Sequence, residues 1–252
     1  MKTIRCMCGI VLGVCSFMPA VLAQAQDGQE LPRSASELVA KIVGKDTAFT
    51  ATGHLTVRRE GNRELNLEVV YAMLDGKLRC EVDASKAKDF LTSSEVLAKV
   101  KRLRMDRAVA ISLPDRDTEY ALYPRLKAYC EIPRLTAGMY TNTAERKSIT
   151  IEKTKGGKEI IDGHVCAKYH VIVTLENGVG VEGTNWEATD LNGFPIMIVV
   201  PLGDDTVTMV FKKVKLHRPP ASLFEPPRDY KRFASSDDLI RWAQQLTQTS
   251  QH

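Results

Sequence analysis

The side chains best suited to chemistry in this 252-residue sequence are scattered rather than grouped. The five histidines, His54, His164, His170, His217 and His252, show neither H-E-x-x-H nor any paired-ligand spacing, so a metal site is not expected. Cys166 follows His164 by two residues, a spacing that could supply a thiol and its base. Side chains two apart on a strand point outward in parallel, however, and a strand cysteine of this kind is read as structural. Gly178-Val-Gly180-Val-Glu-Gly183 reproduces the letters of the dinucleotide fingerprint. That fingerprint works because its glycines open a helix whose amides hold a pyrophosphate, whereas here the β-prone TNWEATD follows. A glycine-rich hairpin loop is the reading. Asp204-Asp205 and Asp237-Asp238 are adjacent pairs whose side chains diverge, the first in a turn and the second at a helix start. With no nucleophile elbow and no phosphate loop, the chain is expected to be no enzyme and to use no cofactor.

The elements that position these residues are mostly strands. From Ser148 to Tyr230 the chain alternates apolar and polar residues at 149–154, 158–162, 164–175 and 206–214, with turns at Gly163 and Asn192-Gly193. The four prolines of 218–230 are expected to end the sheet. Upstream, Ser34 to Glu37 fits a capping box with Leu38, Val39, Ile42 and Val43 behind it, a short helix ending near Gly44. Strands are expected at 47–59, 63–74 and 77–83, turning at Gly61-Asn62 and Asp75-Gly76. A second capping box at Thr92 to Glu95 leads into Val96, Leu97, Val100 and Leu103; the basic face opposite them is read as solvated rather than membrane-bound. Strands follow at 107–113 and 118–132, then a loop with some helix at 133–147. A last helix starts at Ser235-Ser236 and is expected to dock through Leu239, Trp242 and Leu246. This order implies a mainly β (α+β) fold: one curved antiparallel sheet with helices covering one side.

Lys2 and Arg5 precede an apolar run from Ile10 to Leu22 and small-residue cleavage sites ending at Ala23 and Ala25, which reads as a secretory signal peptide. The expected organisation is a signal peptide at 1–25, a flexible tether at 26–33 and one β domain at 34–252. The product would be periplasmic or secreted, without a transmembrane span, because the run falls short of the roughly 20 residues a spanning helix needs. Loss of the signal takes the formal charge from +4 to +2, too balanced to suggest nucleic acid. It also removes Cys6, Cys8 and Cys15, leaving Cys80, Cys130 and Cys166, among which three pairings are open. Cys80 alternates with Leu78 and Val82 on a buried strand face, while the other two stand near strand ends. A Cys130–Cys166 disulfide with Cys80 left as a thiol is the expectation.

Three segments carry a resemblance: EIIDGHVCAKY at 159–169, WEATDLNGFP at 186–195 and PPASLFEPP at 219–227. Together they resemble secreted DUF4412-type domains, related to the periplasmic lipoprotein carriers of the LolA/LolB-like fold. Residues 109–132 are similar less specifically. The resemblance implies one strongly curved, unclosed antiparallel sheet, a half-barrel, with a few helices covering its concave side and an apolar cavity able to hold acyl chains, and it offers no catalytic residues to carry over. Trp186, Val207, Met209 and Phe211 would then line a lipid or lipoprotein site in a monomer. They serve equally as core residues, the blander account. The expected function is an exported, non-catalytic envelope protein that binds an apolar ligand; the alternative is a structural or protein-interaction module with a filled core.

Overall fold

The computed structural model describes residues 42–44, 47–59, 63–86, 94–116, 118–133, 150–174 and 180–249. The expected signal peptide, tether, Gly61-Asn62 turn and all of the 133–147 loop but Pro133 lie outside the described residues, as does most of the first expected helix.

Twelve strands form one sheet: β1 Phe49–Arg59, β2 Arg63–Leu74, β3 Lys77–Asp83, β4 Arg107–Leu113, β5 Thr118–Tyr123, β6 Ala128–Pro133, β7 Thr150–Ile161, β8 His164–Thr174, β9 Gly180–Ala188, β10 Phe194–Leu202, β11 Asp205–Lys215 and β12 Lys231–Phe233. Their order is β12-β6-β5-β4-β3-β2-β1-β11-β10-β9-β8-β7, so the sheet has two edges and is not closed into a barrel. Every pairing is antiparallel except that of β12 with β6. Two hairpins follow from their dipeptides. Asp75-Gly76 (φ 50° and 77°) and Asp162-Gly163 (φ 49° and 87°) take positive φ at both positions, the conformation whose twist matches the flanking strands.

The strand read as 118–132 is instead two. Pro124 cannot donate to a ladder and opens a 3-10 turn over Pro124–Leu126, and Lys127 closes it in the left-handed region (φ 48°, ψ 48°). Conversely, 149–154 and 158–162 are a single strand, β7, carried past its glycines by a bulge between Lys155 and Gly157. The prolines after β11 do not end the sheet. They lead through a 3-10 turn at Ala221–Phe224 to β12, which adds to the β6 edge.

One row crosses six strands on the inner face: Ala51, Tyr71, Cys80, Ala110, Ala121 and Cys130, every member buried. Its small residues make room for helices. α1 (Ser94–Arg102) brings Val100 and Leu103 over this half of the sheet, and α2 (Ser236–Thr249) brings Leu239, Ile240 and Ala243. α1 stops where Arg104 enters the left-handed region (φ 56°); Met105 N–H then bonds Val100 C=O at 2.9 Å and Arg104 N–H bonds Lys101 C=O at 3.0 Å, a Schellman ending. At α2, Ser235 Oγ accepts from Asp238 N–H at 3.1 Å, the expected cap. On the outer face Ala72, Leu74, Val109, Ile111, Leu113 and Leu122 are covered by Phe224 from the proline-rich segment.

The docking stripe of α2 is rotated from the expected one. Leu239 is fully buried and Trp242 half-buried, but Leu246 is 42% exposed and Ile240 takes its place in the core. The expected Cys130–Cys166 disulfide is not formed. All three cysteines are buried thiols; β6 and β8 are the second and eleventh strands in the order, and the two sulfurs belong to different core clusters. Cys80 and Cys130 share a row but stand three strand spacings apart, roughly 14 Å, well beyond bridging distance.

Candidate functional site

The site starts from a register change. β10 pairs with β9 as Phe194↔Ala188 and Ile198↔Asn185, so four residues of β10 oppose three of β9. Phe194 and Ile198 share a parity whereas Ala188 and Asn185 do not, and a one-residue slip exchanges the faces of a strand. β9 therefore turns different parities inward on the two sides of the bulge. β8, paired to β9 without a shift, does the same: Cys166 is buried at one end, Val171 and Val173 at the other.

Beyond the bulge, the inner face of β7 to β10 presents an apolar cleft. Ile151, Val171, Val173, Val181, Ile198 and Val200 form its floor and Ile42 a wall from outside the sheet. β-branched residues dominate because they suit packing on a pleated, half-buried surface. The cavity is about 30 Å³, room for one or two water-sized groups, against roughly 300–1,000 Å³ for a typical ligand pocket. Its polar end is built by Lys153, Asn185 and Glu187. Glu187 Oε1 accepts from Lys153 Nζ and, at 2.9 Å, from Asn185 Nδ2. Asn185 is 3% exposed, and its Oδ1 has no hydrogen-bond partner.

Trp186, Val207, Met209 and Phe211 are all buried in the large core cluster, and none lines this cleft. Phe211 meets Tyr71 and Phe194 edge to face at 5.6 and 5.5 Å, and Phe194 meets Phe49 at 5.0 Å, which fills the interior with rings. Trp186 Nε1 donates to Glu159 Oε2 at 2.8 Å, and Lys168 Nζ, 5.1 Å from the indole centroid, donates to the other oxygen at 2.8 Å. The Lys168 ammonium first, then the indole N–H, holds the Glu159 carboxyl below its usual range.

Cys166 and His164 form no thiol–base pair. The thiol donates to the His164 carbonyl at 3.5 Å, burial pushes its pKa up, and the imidazole turns to Asp190 at 2.7 Å. His170 lies 3.8 Å from Glu182 instead. Among the described residues no three potential ligands cluster as a metal site. Gly180 and Gly183 stand in β9 rather than at a helix start; a Cβ on Gly183 would lie 2.8 Å from the Val199 carbonyl oxygen, so its glycine serves strand packing.

No family model matches the sequence, and no curated protein matches it. Solved structures do. A LolA superfamily protein from Nitrosomonas europaea aligns over 78% of this chain and 98% of its own, at 9% identity and TM-score 0.36. LprF from Mycobacterium bovis aligns over 77% and 97%, at 11% and 0.37. The MucA/MucB complex structure of Pseudomonas aeruginosa aligns over 81% of this chain and 65% of the other, at 10% and 0.39. At these values no residue role passes from them to this chain, and the DUF4412-type resemblance rests on the quoted segments alone.

The sequence reading missed the cleft because it left 194–202 unread, although FPIMIVVPL is a continuous apolar run of strand length. Lys153, Asn185 and Glu187 carried no motif. Their meeting depends on the β10 bulge, which Pro195, lacking an N–H for the ladder, helps to mark.

A second recess of about 220 Å³ opens among Val43, Thr47, Ala48, Leu191, Asn192, Phe194 and Leu216. It offers no buried unpaired polar atom and no charged side chain, so it gives a ligand little to be oriented by.

Proposed function

We propose that this is an exported, non-catalytic envelope protein that binds an apolar chain, of a lipid or an acylated protein, along the inner face of β7 to β10. The observation carrying this reading is the cleft itself: six β-branched side chains side by side, with a single polar end, and Ile42 as the one described residue reaching over them from outside the sheet. An acyl chain needs apolar length and one polar anchor, and displacement of Ile42 from the cleft would lengthen it. Delipidated protein titrated with pyrene-labelled fatty alcohol and fatty acid tests it. Saturation near one probe per chain supports the reading, and Val181→Trp, which fills the floor, should abolish it.

The alternative, a scaffold or protein-interaction module, is favoured by the ring-filled interior and the 30 Å³ cavity. It expects no saturable binding of either probe.

A further inference from the structure

The polar end of the cleft is chemically lopsided. Asn185 Nδ2 donates to Glu187 Oε1 at 2.9 Å, and since a carboxylate oxygen only accepts, the amide is oriented: nitrogen toward Glu187, oxygen away from it. That oxygen is buried and unpartnered in a residue 3% exposed, which lines a mainly apolar cavity together with Lys153, Glu182 and Thr184. A buried acceptor without a donor is costly, and a ligand that supplies the donor recovers that cost on binding. The charges around it restrict what the donor can be. Glu182 lines the cleft, and Glu187, outside the lining, holds both Asn185 and Lys153, so an anionic head group would meet two nearby carboxylates and an ammonium already engaged. A cationic head group would face Lys153.

We infer that the cleft selects amphiphiles whose head group is a neutral hydrogen-bond donor, an alcohol O–H or an amide N–H, received by Asn185 Oδ1. The inference rests on the apolar-ligand reading above and adds the class of head group. Asn185 is then a specificity-determining residue: the chain supplies affinity, and the amide oxygen chooses among heads. A site built to receive a donor rejects analogues lacking it more strongly than an apolar pocket rejects a changed chain length.

The test uses the full exported chain and four ligands of equal chain length, competed against pyrene-labelled dodecanol: 1-dodecanol, N-methyl lauramide, laurate and dodecyl methyl ether. Dodecanol and the amide should compete about tenfold or more better than laurate and the ether. The alcohol and amide arms separate an O–H source from an N–H source. Asn185→Leu, which keeps the side-chain size, should bring all four within about twofold while dodecyl methyl ether keeps its wild-type affinity. Four wild-type affinities within about twofold, or an unchanged ranking in Asn185→Leu, would overturn the head-group assignment and leave the apolar-chain reading standing. Absence of binding by every ligand would overturn both. The wild-type ranking decides alone if the variant does not fold.

Discussion

Glu159 is held ionised by two donors, the Lys168 ammonium and the Trp186 indole, and its pKa is depressed for that reason. A carboxylate depressed in the folded state stabilises above its unfolded value, about 4.3, and that contribution is lost as pH falls through the lower folded value. In a Trp242→Phe background the Trp186 emission should therefore titrate below the ordinary glutamate range, and Glu159→Gln should remove the transition. A midpoint at or above 4.3 contradicts this. The thiols make a second prediction at the same scale. Cys80, Cys130 and Cys166 are buried, and burial raises the Cys166 pKa, so little thiolate is available to react. Iodoacetamide should leave all three unmodified in the native protein and label all three in denaturant; a peptide linking Cys130 to Cys166 would show the thiol assignment wrong.

α2 and β9 show how a period read correctly can still select the wrong residue. Leu239 fell on both the expected and the observed stripe, whereas Leu246 belonged only to the expected one, because the last residue the helix buries is Ala243, about a turn earlier. Leu239→Ala should cost about 3 kcal/mol, in the range for a fully buried leucine, and Leu246→Ala should change stability by no more than about 0.5 kcal/mol. Trp242 packs its ring 5.0 Å from Phe233 with Lys231 Nζ 4.8 Å away, a half-exposed stack at the sheet edge rather than a core anchor. In β9, Gly183→Ala puts a methyl against the backbone carbonyl of Val199, which no rotamer change can relieve. A loss of about 1–3 kcal/mol in urea unfolding is expected, as for other overpacked sites, and a neutral result would mean that β9 and β10 separate freely.

For the molecule as a whole, one seam matters most. β1 and β11 pair from Thr50↔Lys215 to Arg58↔Thr206, joining the strands β1 to β6, with β12 on their edge, to the strands β7 to β11. Inner-face packing crosses it, with Met209 against Leu55 and Phe211 against Tyr71. The two tryptophans report on opposite sides: Trp186 lies in the large cluster and Trp242 against the helix-covered one. Single-tryptophan variants should thus unfold in urea with coincident midpoints once corrected for their own stability, since neither half can keep its core without the seam. Midpoints that separate would make the halves independent units.

What the sequence determined by itself is local: strand alternation, the Asp-Gly turns, the Ser235 cap and the boundaries of β3 and β4, all set by interactions within a few residues. Its argument for a mainly β, curved antiparallel sheet followed from the count and spacing of such elements, while the expectation that the sheet stays unclosed came from the resemblance. What only the tertiary structure decided is which face each strand turns inward and which distant strands meet. The β10 bulge reverses the parity of β9 and β8, so Val171, Val173 and Asn185 become lining residues while Trp186 goes to the core. The strand order puts eight strands between β6 and β8 and thereby separates Cys130 from Cys166. Period-two patterns carry no record of a one-residue slip elsewhere in the sheet, and spacing along a chain carries none of the order in which strands pair.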